Sequence, residues 1–140
     1  MAEKSKILVV EDEEILLTAL KEELLSGGYE VEGAGDGEEG LVKAKSFAPE
    51  LILLDLVMPK MDGMEMLQRL KADSAIRDIP VVILTNLSDY DRISEALSLG
   101  AMDYLVKANY KLEDLLDKVK TVLARKDSQG NPTTPAAASV

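Results

Sequence analysis

Three short, uninterrupted apolar runs constrain the fold of this chain more than any other feature of it. The runs consist of Val, Ile and Leu without alternating polar residues, and they lie at residues 7–10, 51–54 and 81–84. Runs of this length and composition are typical of strands buried on both faces of a parallel sheet. Two further segments, at residues 29–32 and 102–106, mix apolar with polar residues. This mixed composition predicts that they are the edge strands.

Segments with helical periodicity separate the predicted strands. Apolar residues recur in them at intervals of three and four positions, and the second segment opens on a capping-box pattern of Asp36 and Glu39. Five alternations of strand and helix imply a parallel sheet with right-handed crossovers and helices on both faces. With the mixed segments at the edges, the strand order is 2-1-3-4-5. The predicted fold class is therefore α/β: a doubly wound, flavodoxin-like (βα)5 sandwich of three layers.

The length of 140 residues suits one domain of ordinary size. We predict a folded domain over residues 1–126 and a flexible C-terminal tail over residues 127–140, because this end of the chain is rich in Pro, Ser, Thr and Ala and lacks an apolar period. No apolar run approaches the roughly 18 residues that span a bilayer, and the N-terminal apolar stretch is too short for a secretory signal. We therefore expect a cytoplasmic protein without membrane contacts.

The composition excludes several kinds of chemistry. The chain has no cysteine and no histidine, which rules out disulfides, thiolate nucleophiles, cysteine-based metal sites and histidine proton shuttles. Any reaction must use carboxylates, hydroxyls, lysines or a bound cation. The 26 acidic residues outnumber the 16 basic ones, and the net charge of -10 repels phosphate backbones and anionic lipid. Direct binding of nucleic acid is accordingly not expected.

Acidic residues follow the first and third predicted strands. Glu11 and Asp12 come directly after the first strand, and Asp55 ends the third. The predicted topology places these strand ends side by side at the point where the strand order reverses, which is where ligands bind in such sheets. Carboxylates brought together in this way favour a hard divalent cation, and Mg²⁺ is the expected one. The alternative for the acidic run is stabilisation of a helix N-terminus, which is the interpretation we keep for Glu13 and Glu14.

A hydroxyl and an ammonium group follow the next two strands. Thr85 ends the fourth predicted strand and Lys107 ends the fifth. A hydroxyl donor and a point cation are the groups that a phosphoryl group needs when a metal binds one of its oxygens. Taken singly, Thr85 is explained by a helix cap or turn and Lys107 by a solvated surface lysine. Together with the acids, they form a constellation at four consecutive strand ends that favours phosphoryl chemistry.

Residues 5–125 resemble the receiver domain of bacterial response regulators. The resemblance rests on four segments, which are KILVVEDE at 6–13, LILLDLVMPKMDG at 51–63, VVILT at 81–85 and GAMDYLVK at 100–107. It implies that Asp55 is the phosphoacceptor and that Lys107 pairs with the phosphoryl group. It also implies that Thr85 is the switch hydroxyl and Tyr104 the switch aromatic residue. The implied Mg²⁺ ligands are Glu11, Asp12, Asp55 and the backbone carbonyl of Val57.

The resemblance further implies a phosphorylation-activated switch of a two-component, or phosphorelay, system. The phosphoryl donor would be a phosphohistidine on a histidine kinase or phosphotransfer protein, which agrees with the absence of histidine here. The aspartyl phosphate would signal to a downstream output protein or domain through the fourth helix, fifth strand and fifth helix. The chain would not be an enzyme beyond its own phosphotransfer and autodephosphorylation. A phosphorylation-dependent homodimer stays open as a further partner.

Some residues depart from the family pattern. Ala108 follows Lys107 where the family usually has proline with a cis bond, and a non-proline cis bond costs about 3 to 4 kcal/mol, so this bond is expected to be trans or strained. Asn86 stands where the family prefers Ala or Gly. These departures leave a second hypothesis open, a pseudo-receiver that is not phosphorylated and acts as a protein interaction module. Val57 and Leu87 are apolar where polar side chains often assist hydrolysis, which predicts slow autodephosphorylation.

Overall fold

The computed structural model describes residues 4–56, 58, 61–85, 90–107 and 111–129. Within these residues, five strands and five helices alternate along the chain. The strands are β1 Lys6–Val10, β2 Glu30–Ala34, β3 Leu51–Asp55, β4 Val81–Thr85 and β5 Asp103–Val106. The helices are α1 Glu14–Ser26, α2 Gly37–Ser46, α3 Gly63–Ala72, α4 Tyr90–Ser98 and α5 Leu112–Gln129. The alternation predicted from the apolar periodicity is confirmed.

The strands form one parallel sheet in the order β2-β1-β3-β4-β5. The order and the two edge strands are as predicted. Ile7 of β1 pairs with Val31 on one side and with Leu51 on the other, so β1 lies inside the sheet. The strand order reverses between β1 and β3, and a crevice for ligands forms outside the carboxyl ends of strands at such a point.

Helices cover both faces of the sheet and complete the predicted three layers. Side chains of the central strands alternate between the faces: Leu8 and Val10 pack with α2, α3 and α4, whereas Ile7 and Val9 pack with α1 and α5. Every residue of β3 and β4 is buried. The continuous apolar runs follow from this double burial, because neither face of these strands meets water.

Side-chain caps fix where α2 and α3 begin. Asp36 Oδ1 accepts a hydrogen bond from the N–H of Glu39 at 2.9 Å, and Asp62 Oδ1 accepts one from the N–H of Glu65 at 3.0 Å. The predicted capping box differs in one respect, because Glu39 Oε1 accepts from the N–H of Gly35, at 2.8 Å, rather than from that of Asp36. The turn that joins β2 to α2 is thereby closed by two side-chain hydrogen bonds.

The bounds of β2 and α5 differ most from the sequence prediction. β2 begins at Glu30 and runs to Ala34, because its pairing with β1 continues until Ala34 lies opposite Val10. α5 continues to Gln129, past the predicted domain end at residue 126. Residues 130–140 lie outside the described residues, so the flexible tail stays a prediction. Among the described helices, none has both the length and the apolar composition needed to cross a bilayer.

Replacement of Ala48 by glycine is expected to stabilise the fold. Ala48 has a φ of 54°, in the left-handed region that costs a residue with a Cβ roughly 1 to 2 kcal/mol. After the greater chain entropy of an unfolded glycine is subtracted, Ala48→Gly should raise the free energy of unfolding by about 0.5 to 1 kcal/mol. Chemical denaturation measures this change. In the matched control Ala124→Gly, at an exposed position of α5, glycine should lower stability by about 1 kcal/mol. A loss of stability in both variants would contradict the expectation.

Candidate functional site

Asp55 ends β3 and is almost completely buried, with 2% of its surface exposed. The beginning of α3 packs directly against the backbone at this strand end. The N–H of Gly63 donates to the carbonyl of Leu56 at 2.9 Å, and a Cβ on Gly63 would lie 2.6 Å from the Cα of Leu56 and collide with the carbonyl of Asp55. Only glycine permits this approach. The sequence patterns alone predict no role for Gly63, although a glycine directly after Asp62 is the signal for such a close approach.

Glu11 follows β1 and is fully buried. Its N–H donates to the carbonyl of Ala34 at 2.9 Å, and its Oε2 accepts from the N–H of Glu13 at 3.2 Å. Glu13 occupies the N-cap position of α1, but its side chain makes no capping hydrogen bond. The role predicted for Glu13 and Glu14 is therefore limited to their charge near the helix N-terminus.

Lys107 follows β5 and reaches the two buried acids. Its Nζ lies 3.0 Å from Oε1 of Glu11 and 3.0 Å from Oδ2 of Asp55, and 11% of its side chain is exposed. The alternative interpretation of Lys107 as a solvated surface lysine is wrong. The N–H of Lys107 donates to the carbonyl of Thr85 at 2.7 Å, and Thr85 is itself buried at the end of β4. The structure thus brings acids, hydroxyl and ammonium to one edge of the sheet.

Three carboxylates lie close enough together to hold one cation. One oxygen each of Glu11, Asp12 and Asp55 lies within 4.8 Å of the others, and Asp12 is exposed at the mouth of the site. Oε1 of Glu11 is buried, and the ammonium Nζ of Lys107 lies 3.0 Å from it. A buried carboxylate oxygen of this kind, in an all-oxygen donor set, fits a hard divalent cation such as Mg²⁺.

Several residues of the sequence prediction fall outside the described residues. These are the expected carbonyl ligand Val57 and the atypical residues Asn86, Leu87 and Ala108. Tyr104 is described: it lies on the edge strand β5 opposite Ile83, with 36% of its surface exposed. Its position is two residues before Val106, which pairs with Thr85.

The charges of the site shift the pKa values of its members. The pKa of Glu11 is raised to about 7, mainly by burial; the negative charge of Asp55 also raises it, and the hydrogen bond from Lys107 opposes both effects. Burial opposes the charged form of Lys107, but its interactions with Glu11 and Asp55 outweigh that effect and raise the pKa of the ammonium. Lys107 therefore stays charged at neutral pH, whereas Glu11 is poised between its two protonation states.

A pH titration of stability in a chelating buffer tests this arrangement. Folding raises the pKa of Glu11 from 4.5 to about 7, so its contribution to stability is complete below pH 4.5 and is lost as the pH rises through about 7. We expect the free energy of unfolding to fall by roughly 2 kcal/mol between about pH 5 and about pH 8. The absence of histidine leaves few other groups to titrate in this window.

Glu11→Gln is the matched control, because the amide keeps the size of the side chain and cannot ionise. The loss of stability with rising pH should disappear in this variant. An equal pH dependence in Glu11→Gln and in the unmodified chain would assign the effect to another group.

Comparisons with known proteins identify the family of the chain. The family model described as "Response regulator receiver domain" matches residues 7–120. The "Probable transcriptional regulator ycf27" of Porphyridium aerugineum is 44% identical over 126 residues, which cover 89% of this chain and 50% of the relative. The "DNA-binding dual master transcriptional regulator RpaA" of Synechocystis sp. is 37% identical over 122 residues, or 87% of this chain and 50% of the relative.

Among solved structures, the "response regulator receiver domain protein (CheY-like)" from Methanospirillum hungatei JF-1 superimposes with a TM-score of 0.83. It is 31% identical in sequence, and the match covers 91% of this chain and 99% of that one. The chain spans about half the length of the curated relatives it matches. On fold, sequence and the family match together, the chain belongs to the response regulator receiver domains of two-component signalling.

Proposed function

We propose that the chain is a phosphorylation-activated switch in which Asp55 accepts a phosphoryl group in a Mg²⁺-dependent reaction. The observation that carries the proposal is the ammonium of Lys107 held 3.0 Å from a buried Asp55, inside a cluster of acids that fits a cation. A carboxylate in such a site is a nucleophile with its counter-charges already in place. In this proposal the chain catalyses no reaction other than the gain and loss of this phosphoryl group.

The proposed donor is a phosphohistidine of a histidine kinase or phosphotransfer protein. A carboxylate oxygen of Asp55 forms the new bond to phosphorus, and the bond between phosphorus and the donor imidazole nitrogen breaks. The electron pair of that bond stays on the imidazole, which takes up a proton. Lys107 stabilises the charge on the transferred group, and the hydroxyl of Thr85 donates a hydrogen bond to one of its oxygens.

Glu11, Asp12 and Asp55 are the side chains that would hold Mg²⁺, and the Val57 carbonyl stays a proposed fourth ligand by resemblance. When bound, the ion neutralises negative charge on the phosphoryl oxygens. The carboxylates of Glu11, Asp12 and Asp55 would keep the positive charge of the ion beside the phosphoacceptor. Among the described residues, the ammonium of Lys107 contacts both Glu11 and Asp55, and the three carboxylates outnumber it there, which favours cation binding.

We further propose that α4, β5 and α5 form the signalling face. The large apolar side chains that the described residues expose are Tyr90 and Leu97 on α4, Tyr104 on β5, Ile15 and Leu25 on α1, and Val42 on α2. Those of α4 and β5 lie on consecutive elements of the proposed face, and exposed apolar side chains suit contact with a protein partner. Movement of Thr85 toward the phosphoryl group would vacate space toward which Tyr104 can turn, and this would bias the face between two states.

The proposed output is not direct binding of nucleic acid by this chain. RpaA is named as DNA-binding, and this chain matches half of it. The net charge of -10 opposes direct contact between this chain and nucleic acid. We therefore propose that an output protein or a further domain acts downstream of the switch, with a phosphorylation-dependent homodimer as one route of transmission.

Intact mass after incubation with acetyl phosphate tests the proposal. We expect a gain of one phosphoryl group that requires Mg²⁺ and is abolished in Asp55→Asn, because the amide removes the nucleophilic oxygen. Glu14→Gln removes an exposed acid from the first turn of α1 and should leave uptake unchanged. Absence of uptake from both acetyl phosphate and a phosphorylated histidine donor would overturn the proposal and favour the pseudo-receiver.

Once formed, the aspartyl phosphate is expected to be long-lived. Val57 and Leu87 offer no polar side chain to orient a hydrolytic water. The phosphoryl half-life at neutral pH should be minutes or longer, measured by intact mass after removal of the donor. Leu87→Glu should shorten it by supplying such a group, whereas a half-life of seconds in the unmodified chain would contradict the expectation.

A further inference from the structure

Gly37, the first residue of α2, is buried and packs against Met61, which lies two residues before α3. A Cβ at this position would lie 2.7 Å from the carbonyl oxygen of Met61 and 3.0 Å from its Cγ. The backbone of Gly37 is helical, so a left-handed conformation is not the reason for glycine here. Alanine is the better helix former in general. The requirement at this position is therefore the close approach of two backbone segments.

On one side of this contact, Gly37 belongs to a turn that is tied to Glu11. Asp36 and Glu39 close the turn with hydrogen bonds to backbone N–H groups of 2.9 and 2.8 Å. The residue just before the turn is Ala34, whose carbonyl accepts the N–H of Glu11 at 2.9 Å. Displacement of Gly37 is thereby transmitted to the strand end that carries Glu11.

On the other side, Met61 is tied to Asp55. Asp62 follows it directly and caps α3 through the N–H of Glu65. Gly63 comes next, bonded to the carbonyl of Leu56 and packed against the backbone of Asp55. A shift of Met61 is thus passed within two residues to the proposed phosphoacceptor.

We infer that Gly37 is a positioning residue of the acid cluster, which sets the spacing between Glu11 and Asp55 through its contact with Met61. The inference deepens the proposed function and rests on it for its consequence. A side chain at position 37 separates the two turns and with them the carboxylates that now lie within 4.8 Å. Hard cations bind through ligand sets of defined size, so Mg²⁺ affinity depends on this spacing.

The test compares Gly37→Ala with Gly35→Ala. A Cβ on Gly35 would meet nothing nearer than Glu39 Oε1 at 3.7 Å, an ordinary contact, so this variant controls for the loss of a glycine in the same turn. Mg²⁺ affinity is measured by isothermal titration calorimetry after circular dichroism has shown that each variant is folded. We expect about tenfold weaker binding in Gly37→Ala and unchanged binding in Gly35→Ala.

Phosphoryl uptake from acetyl phosphate provides the second measurement. In Gly37→Ala the Mg²⁺ concentration needed for half-maximal uptake should rise, while the rate at saturating Mg²⁺ approaches that of the unmodified chain. Equal Mg²⁺ affinity of Gly37→Ala and the unmodified chain would overturn the inference, and so would equal weakening in Gly35→Ala.

Two further outcomes separate the inference from the proposed function. If the unmodified chain binds Mg²⁺ but takes up no phosphoryl group, the proposed function fails while the calorimetry still decides the inference. If the unmodified chain binds no Mg²⁺, the backbone amide NMR shifts of Glu11 and Asp55 are compared between the unmodified chain and Gly37→Ala. Unchanged shifts in the variant would overturn the inference. If Gly37→Ala does not fold, Met61→Ala is the variant to test, because it removes the side-chain contact from the opposite turn. We expect weaker Mg²⁺ binding in Met61→Ala, and unchanged affinity in that variant would overturn the inference.

Discussion

The ammonium of Lys107 between two buried carboxylates is the interaction on which the site depends. Glu11 and Asp55 are held in an environment where unpaired charges are unstable, and the ammonium of Lys107 offsets part of their repulsion. Lys107 follows β5, which is two strands from β3, so its side chain must cross the end of β4 over a separation of about 10 Å between strand axes. The short side chain of Thr85 at that point is compatible with this crossing.

The excess of carboxylates over ammonium groups among the described site residues links the structure of the site to its proposed function. Burial raises the pKa of Glu11 and the negative charge of Asp55 adds to that rise, while the excess of carboxylates makes the site receptive to a divalent cation. A phosphoryl group added to Asp55 would bring further negative charge to the same place, which is the physical basis for a switch. A site with balanced charges would lack both the affinity for a cation and the sensitivity to phosphorylation.

Close backbone contacts hold this charged cluster in shape. Gly63 lets α3 begin against the backbone of Asp55, and Gly37 lets α2 begin against Met61. Both helices are also capped by an aspartate, at Asp36 and Asp62, so the turns that lead into them are closed by hydrogen bonds. The capped beginnings of the two helices lie beside the acids, while the exposed apolar residues of the proposed signalling face lie on α4 and β5.

The sequence by itself determined the order of the sheet and the residues at its carboxyl edge. Continuous apolar runs indicate strands that are buried on both faces, and mixed runs indicate strands at the edge of the sheet. The strand order therefore follows from local composition. Asp55, Thr85 and Lys107 were recognisable because each ends such a run. Only the tertiary structure decided that Lys107 contacts both acids and that two glycines allow backbones to touch. These contacts join residues far apart in the chain or depend on a few tenths of an ångström, and periodicity carries no information about either.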